Sequence, residues 1–369
     1  MAERRDEGFR WRLEEAGDAT LFDVAYPERH VGRGEYRGLE FLHVEARTII
    51  NEVPPSSRMA FRYTINPYRG CSHACTYCFA RPTHEYLGLG IGEDFEKRIV
   101  VKVNAVELAR AELASPRWRG DLIAMGTNTD PYQHAEGRYH LTRGIVRALS
   151  AACNPFSILT KSTLVLRDLK LLADAAKRTS VRVNLSVGTL DKEVWRLSEP
   201  GTPPPDKRLD VVRRLNEAGV QCGVLIAPVL PGLSDSDEQV GEVAEACRAI
   251  GAPVAGAVAL HLRPGVREHY LSWLAGVRPD LTDLYEERFA RGSYQPKKEQ
   301  ERLSGVIERL LAGERGRKRP EVTAGSAGGY RKPSAARAQV TEKGTGEKPR
   351  TGKRAARGQP GQLTLFRVG

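Results

Sequence analysis

Between residues 61 and 262 the sequence alternates six strand-like with five helix-like hydrophobic patterns, and this alternation constrains the fold more than any other feature. Short β-rich runs recur at 61–67, 121–127, 155–160, 180–188, 220–229 and 252–260. Helical patterns at 104–114, 141–152, 165–178, 206–218 and 236–250 lie between them. Asn104, Asp206 and Ser236 are candidate N-caps, and Gly219 and Gly251 are candidate helix stops. Strands of this buried type, each followed by a helix, predict a parallel sheet with helices outside it. Six units are too few for a closed eight-stranded barrel. An open partial barrel or a doubly wound sheet remains, and in both the ligand site lies at the C-terminal strand ends.

The flanks differ from this core. Residues 1–60 are mixed in pattern and are expected to form an N-terminal extension. Residues 266–314 carry charged amphipathic patterns that predict one or two helices packed on the core of 61–265. Beyond Arg315 the chain turns to Gly, Ser, Pro, Ala, Lys and Arg, a composition that buries too little apolar surface to order itself. This tail, 315–369, holds 14 Lys+Arg and 3 Asp+Glu, and so carries the whole net charge of +11. The rest is balanced, so electrostatic attraction to nucleic acid belongs to the tail or to a local cleft. With no secretory h-region and no apolar run of membrane-spanning length, the expected protein is cytoplasmic and makes no membrane contact.

Three of the six cysteines fall within eight residues, in Cys71-x3-Cys75-x2-Cys78. The loop follows the first strand and so sits at the mouth of the sheet. Three thiolates on one tight loop can each ligate one iron of a 4Fe–4S cluster, leaving the fourth iron open for catalysis. The rival is a zinc ion with His73 or His84 as fourth ligand, but structural zinc sites usually come as two separated ligand pairs, and no second pair follows. Cys153, Cys222 and Cys247 lie in apolar patterns and read as buried thiols.

The segments FRYTINPYRGCSHACTYCFARPTHEY (61–86) and GTNTDPYQ (126–133) resemble the radical S-adenosylmethionine (radical SAM) superfamily, in the branch of spore photoproduct lyase and photolyase-like DNA repair proteins. The resemblance covers roughly residues 60–265 and implies a partial (β/α)6 barrel. It implies a 4Fe–4S cluster on Cys71, Cys75 and Cys78, S-adenosylmethionine as second cofactor, and cleavage of that cofactor to a 5′-deoxyadenosyl radical. Tyr77 would pack against adenine. Gly126, Thr127, Asn128 and Asp130 would lie where the methionine amino group binds. Lys161 would pair with the methionine carboxylate, Ser186 would meet the ribose, and the Ala227 backbone would meet adenine. An electron donor such as flavodoxin or ferredoxin follows from the same chemistry.

His261 and Arg263, leaving the sixth strand on the same face, are candidate substrate contacts. The lyase's hydrogen-donating cysteine near the end of its second strand has no counterpart, because no cysteine occurs between 79 and 152. The final Gln362-Leu363-Thr364-Leu365-Phe366 resembles the peptide by which bacterial repair proteins dock on the sliding clamp, presenting apolar anchors on a tether. The expected function is radical SAM chemistry on DNA or another nucleic acid. Modification of a protein or small metabolite is one alternative, and a non-catalytic, clamp-associated iron–sulfur protein is another.

Overall fold

The computed structural model describes residues 28–312 apart from Ser56 and Arg58. Its strands are β1 (Glu28–Val31), β2 (Glu40–Val44), β3 (Ile50–Glu52), β4 (Tyr63–Ile65), β5 (Tyr68–Arg69), β6 (Arg98–Lys102), β7 (Ile123–Met125), β8 (Phe156–Thr160), β9 (Val181–Ser186), β10 (Gln221–Val229) and β11 (Val254–Ala259). Its helices are α1 (Glu93–Lys97), α2 (Ala105–Leu113), α3 (His134–Tyr139), α4 (Leu141–Ala151), α5 (Leu169–Ala176), α6 (Lys192–Ser198), α7 (Pro205–Glu217), α8 (Asp237–Ala249), α9 (Val266–Val277), α10 (Thr282–Arg288) and α11 (Lys297–Ala312).

Six strands pair in parallel in the order β4–β7–β8–β9–β10–β11, one from each of the six β-rich runs. β3 adds to β4 in antiparallel fashion, and β3 and β11 remain unjoined edges. The architecture is therefore a partial TIM-like barrel, open on one side. Its strand interiors are fully buried: Ile123, Ile158, Val183, Leu185, Val224 and Ile226 meet apolar residues of α2, α4, α5, α7, α8 and α11 in one core. Ser236 caps α8 through a capping box with Gln239, while Gly219 (φ 79°) and Gly251 (φ 66°) supply left-handed stops.

Several expectations need correction. The run at 61–67 holds one three-residue strand, β4, and a second short strand, β5, follows it. Pro67 has no N–H with which to extend the ladder, and the chain turns so that β5 pairs with β6 in a second sheet, β1–β2–β6–β5. Asn104 stands at the N-cap position of α2, but its side chain does not cap the helix: its amide accepts from Ala46 N (2.9 Å) and donates to Ala46 O (2.8 Å). Asp206 lies inside the first turn of a helix that begins at Pro205. Cys153 is exposed, because it takes the left-handed position (φ 49°) that ends α4; Cys222 and Cys247 are buried as expected. Residues 266–312 form three helices rather than one or two, broken around Pro279 and Pro296. Of these only α11 joins the barrel core, through Leu303, Val306 and Ile307. Residues 28–52, read as part of an extension, supply strands to both sheets.

Lys102, at the end of β6, is 3% exposed, and burial lowers its pKa to about 7, with Arg69 acting in the same direction and Glu112 against it. The unfolded chain keeps this proton up to about its ordinary 10.5, so folding below pH 7 must bury a charge. That penalty is fully present below pH 7 and fades as pH rises towards 10.5. Lys102→Met is expected to stabilise the fold by about 1–3 kcal/mol on the acid side, with the gain shrinking in alkali. Denaturant titrations at both extremes check this, and a pH-independent difference would count against it.

Candidate active site

The cysteine loop leaves β5 through Gly70, whose φ of 77° and neighbours leave no room for a side chain. A Cβ there would lie 2.8 Å from both His84 Cε1 and the Phe95 carbonyl. Cys71 N–H then donates to Phe95 O at 2.8 Å. Two short turns follow, with Ala74 N–H donating to Cys71 O and Cys78 N–H to Cys75 O, and Ala74 itself is left-handed (φ 54°). Gln133 clamps the loop from one side: its amide accepts from Ser72 N (3.0 Å) and donates to Gly70 O (2.9 Å), beside Thr129 Oγ1 on the same carbonyl (2.6 Å). From the other side Arg81, fully buried, donates to Cys75 O through Nε (3.1 Å) and Nη2 (2.8 Å) and pairs with Glu96 at 2.6 Å.

The donor set fits a cluster better than a single ion. Four ligands around one zinc at about 2.3 Å bring sulfurs within about 4 Å of one another. Among the described residues the three cysteine sulfurs do not all lie within 4.8 Å of each other, which suits a cubane whose irons take one thiolate each. One nitrogen of each proposed fourth zinc ligand is engaged elsewhere, while His84 Nδ1 is buried without a partner. His73 Nδ1 lies 3.3 Å from Asp130, and His84 Nε2 lies 3.0 Å from the Arg98 carbonyl. Burial raises all three thiol pKa values, that of Cys75 to about 12, so metal must displace protons to bind here.

At the C-terminal ends of β8, β9 and β10 the structure brings Lys161, Ser186, Ala227 and Tyr77 together. The Lys161 ammonium donates to Ser186 Oγ (2.7 Å), Glu199 Oε1 (3.0 Å) and Ala227 O (3.3 Å), and lies 5.7 Å from the Tyr77 ring centroid. Ser186 Oγ donates to the same Ala227 carbonyl at 2.6 Å. Glu199 organises the group: it accepts from the Tyr77 hydroxyl and Lys161 on one oxygen, and from Arg208 on the other. Burial opposes its ionisation, but Arg208 and Lys161 outweigh that and hold its pKa at about 2. Arg208, 1% exposed, also donates to Ser186 O at 2.9 Å.

The stretch 126–130 has a different part. Gly126 (φ 89°) lies so close to β8 that a Cβ would meet Leu159 O at 2.0 Å. Thr127 Oγ1 and Asn128 N–H bond to Asn66, while the Asn128 side chain makes no hydrogen bond among the described residues. Asp130 is spent internally. It accepts from Tyr132 N, Thr160 Oγ1 and Lys161 N, and faces His73; burial raises its pKa, but His73 and these donors bring it below the ordinary value.

Helices α9 and α10 roof the loop, packing Val266, Tyr270, Leu274, Tyr285 and Phe289 with Cys75 and Tyr77. Beside the roof, Phe79, His261 and Tyr294 form a ladder with centroid spacings of 5.7 and 5.5 Å, and the Arg263 guanidinium lies 5.7 Å from the Phe79 centroid. Phe79 is 38% and Tyr294 64% exposed. Gln362, Leu363, Leu365 and Phe366 lie outside the described residues.

Sequence reasoning missed Gln133, Arg81, Glu199 and Arg208. Gln133 and Arg81 stood inside the quoted segments 126–133 and 61–86, and Arg81, Glu199 and Arg208 are charges whose burial no local pattern announces. Glu199→Gln keeps the shape but leaves Arg208 and Lys161 short of a counter-charge. It is expected to cost about 3–5 kcal/mol of stability, read by thermal or denaturant unfolding. A loss no greater than that of an exposed control such as Glu245→Gln would sink the assignment.

The sequence profile of the radical SAM superfamily matches residues 65–244. An uncharacterized protein of Mycobacterium tuberculosis is 45% identical over 284 residues, which span 77% of this chain and 84% of that one. One from Methanocaldococcus jannaschii is 31% identical over 204 residues, 55% of this chain and 73% of that one. Among solved structures, a spore photoproduct lyase mutant with dinucleoside spore photoproduct superposes with a TM-score of 0.54 at 19% identity, covering 74% of this chain and 79% of that one. Another, with AdoMet and the same dinucleoside, gives 0.52 at 19% identity over the same shares. At such identities the likeness is one of fold. The matched profile runs from the end of β4 through α8, over the cysteine loop and the ends of β7 to β10, and on that footing the chain belongs to the radical SAM superfamily.

Proposed function

We propose that this chain is a radical SAM enzyme that acts on an unpaired or extruded base of a nucleic acid. Cys71, Cys75 and Cys78 would hold the 4Fe–4S cluster. When bound, the cluster supplies the electron that breaks the sulfonium C–S bond of S-adenosylmethionine, giving methionine and a 5′-deoxyadenosyl radical. The chain's own residues bind, orient and shield. Lys161 has three protons, and the longest of its three bonds, to Ala227 O, is the one that a methionine carboxylate would replace at least cost. Glu199 keeps Tyr77 and Lys161 in register, and the apolar faces of α9 and α10 exclude water from the reacting centre.

The observation that carries the nucleic-acid reading is the ladder Phe79–His261–Tyr294 with Arg263 against it. Phe79 directly follows a cluster ligand, so a base stacked on the ladder would lie next to the reacting centre. Exposed aromatic rings at stacking distance with one guanidinium are how single-stranded nucleic acid and flipped bases are held. Arg263 would offset a phosphate. The absence of a cysteine between 79 and 152 argues against the lyase's own hydrogen-donor scheme, so repair of DNA by another radical route, or modification of nucleic acid, is favoured. The final Gln362–Phe366 peptide would tether the enzyme to a sliding clamp, and a flavodoxin or ferredoxin would deliver the electron.

The test is anaerobic: the protein is reconstituted with iron and sulfide, reduced, and assayed for 5′-deoxyadenosine with and without single-stranded or UV-irradiated DNA. Formation is expected to rise with nucleic acid and to vanish in Cys75→Ala. Tyr294→Ala is expected to weaken single-strand binding about 5- to 100-fold, the value of one lost stack, while 5′-deoxyadenosine formation without DNA persists. Turnover indifferent to nucleic acid, together with unchanged binding by Tyr294→Ala, would refute the substrate class. Replacing Leu365 and Phe366 with Ala is expected to abolish clamp binding, and retained binding would refute that partner.

A further inference from the structure

We infer that Glu28, His30 and His43 form a binding site for a divalent transition metal, separate from the cysteine loop. Among the described residues this is the group of His, Cys, Asp and Glu side chains whose ligand atoms all lie within 4.8 Å of one another. The strand geometry explains why they converge. Glu28 and His30 are two apart on β1 and so share a face, and Glu28 lies directly across from His43 in the antiparallel β1–β2 register. His30 Nε2 is 3.0 Å and His43 Nδ1 is 3.8 Å from the Glu28 carboxylate, and the two imidazole centroids are 3.9 Å apart.

Two further features point to an ion rather than to a chance cluster. His30 Nε2 is buried without an aligned hydrogen-bond partner, although a carboxylate oxygen stands 3.0 Å from it. A metal between them would satisfy both. His43 Nε2 lies 2.7 Å from the Tyr139 hydroxyl, which can accept its N–H and so turn the Nδ1 lone pair towards Glu28. A ligating histidine usually has just such an outer partner, which fixes tautomer and ring orientation.

Two imidazoles and one carboxylate suit zinc, with nickel, copper and ferrous iron as competitors, and leave at least one coordination position for water. Bound there, the ion would fasten the edge strand β1 to β2, in the sheet whose opposite edge, β5, runs into the cysteine loop. The inference does not depend on the reaction proposed above.

The test uses the full chain with its cluster loaded, so that the cysteines are occupied. The protein is stripped of adventitious metal, then titrated anaerobically with Zn2+ against a chromogenic indicator, while the cluster's visible absorbance is followed. One zinc per chain is expected at constant cluster absorbance, with a zinc-dependent rise in melting temperature. His30→Gln and Glu28→Gln, both near the surface, should each weaken binding at least about 10-fold and lose the melting shift. Tyr139→Phe should weaken it about 10-fold through the outer hydrogen bond alone. No zinc taken up by a cluster-loaded chain, or equal affinity in the wild type and His30→Gln, would overturn the site; a melting rise that survives in His30→Gln would do the same.

Discussion

One buried carboxylate, Glu199, has to be ionised for the mouth of the barrel to hold its shape. It sits between a phenol, an ammonium and a guanidinium drawn from three separate parts of the chain. A carboxylate inside a protein is costly unless each oxygen meets a donor and its charge is matched. Here both conditions hold, since Arg208 and Lys161 balance it and Tyr77 adds a proton donor. The result is a rigid floor on which the ends of β8, β9 and β10 are held at fixed distances from the cysteine loop. Precision of this kind is what a radical reaction requires, because a reactive intermediate attacks whatever lies nearest.

The loop itself depends on backbone rather than on its thiols. Gln133, Thr129 and Arg81 all bind main-chain carbonyls or amides of residues 70–75, so the loop's path is set by groups that touch no sulfur. Burial keeps the thiols protonated in the metal-free chain, and only a ligand of high positive charge can reverse that.

Much of this was legible in the sequence. The six parallel strands fell within the six β-rich runs because largely buried strands leave a strong apolar signature, although the edge strand β11 is only partly buried. Cys71, Cys75 and Cys78 were expected on one loop at the mouth, and the structure brings Lys161, Ser186 and Ala227, from the ends of three strands, together with Tyr77 of that loop. What was hidden followed a different logic. β6 is a five-residue strand that pairs into a second sheet rather than the barrel, and β5 is a two-residue strand that follows Pro67. Glu199, Arg208 and Arg81 are charged residues in polar stretches, and only tertiary contact shows that they are buried. Asp130 was assigned to a ligand by its position at a strand end, yet in the structure its carboxylate accepts from its own turn at Tyr132 and from Thr160 and Lys161 at the end of β8.

The order of elements along the chain adds a temporal dimension. The cysteine loop precedes β7, whereas the helices that roof it, α9 and α10, follow β11, and α11 covers the last strand later still. A ribosome therefore delivers the three thiols long before it delivers their cover. Throughout that interval the nascent chain presents its cysteine loop with the roof not yet made, so the loop can meet solvent before it is enclosed, without any part of the finished wall having to open.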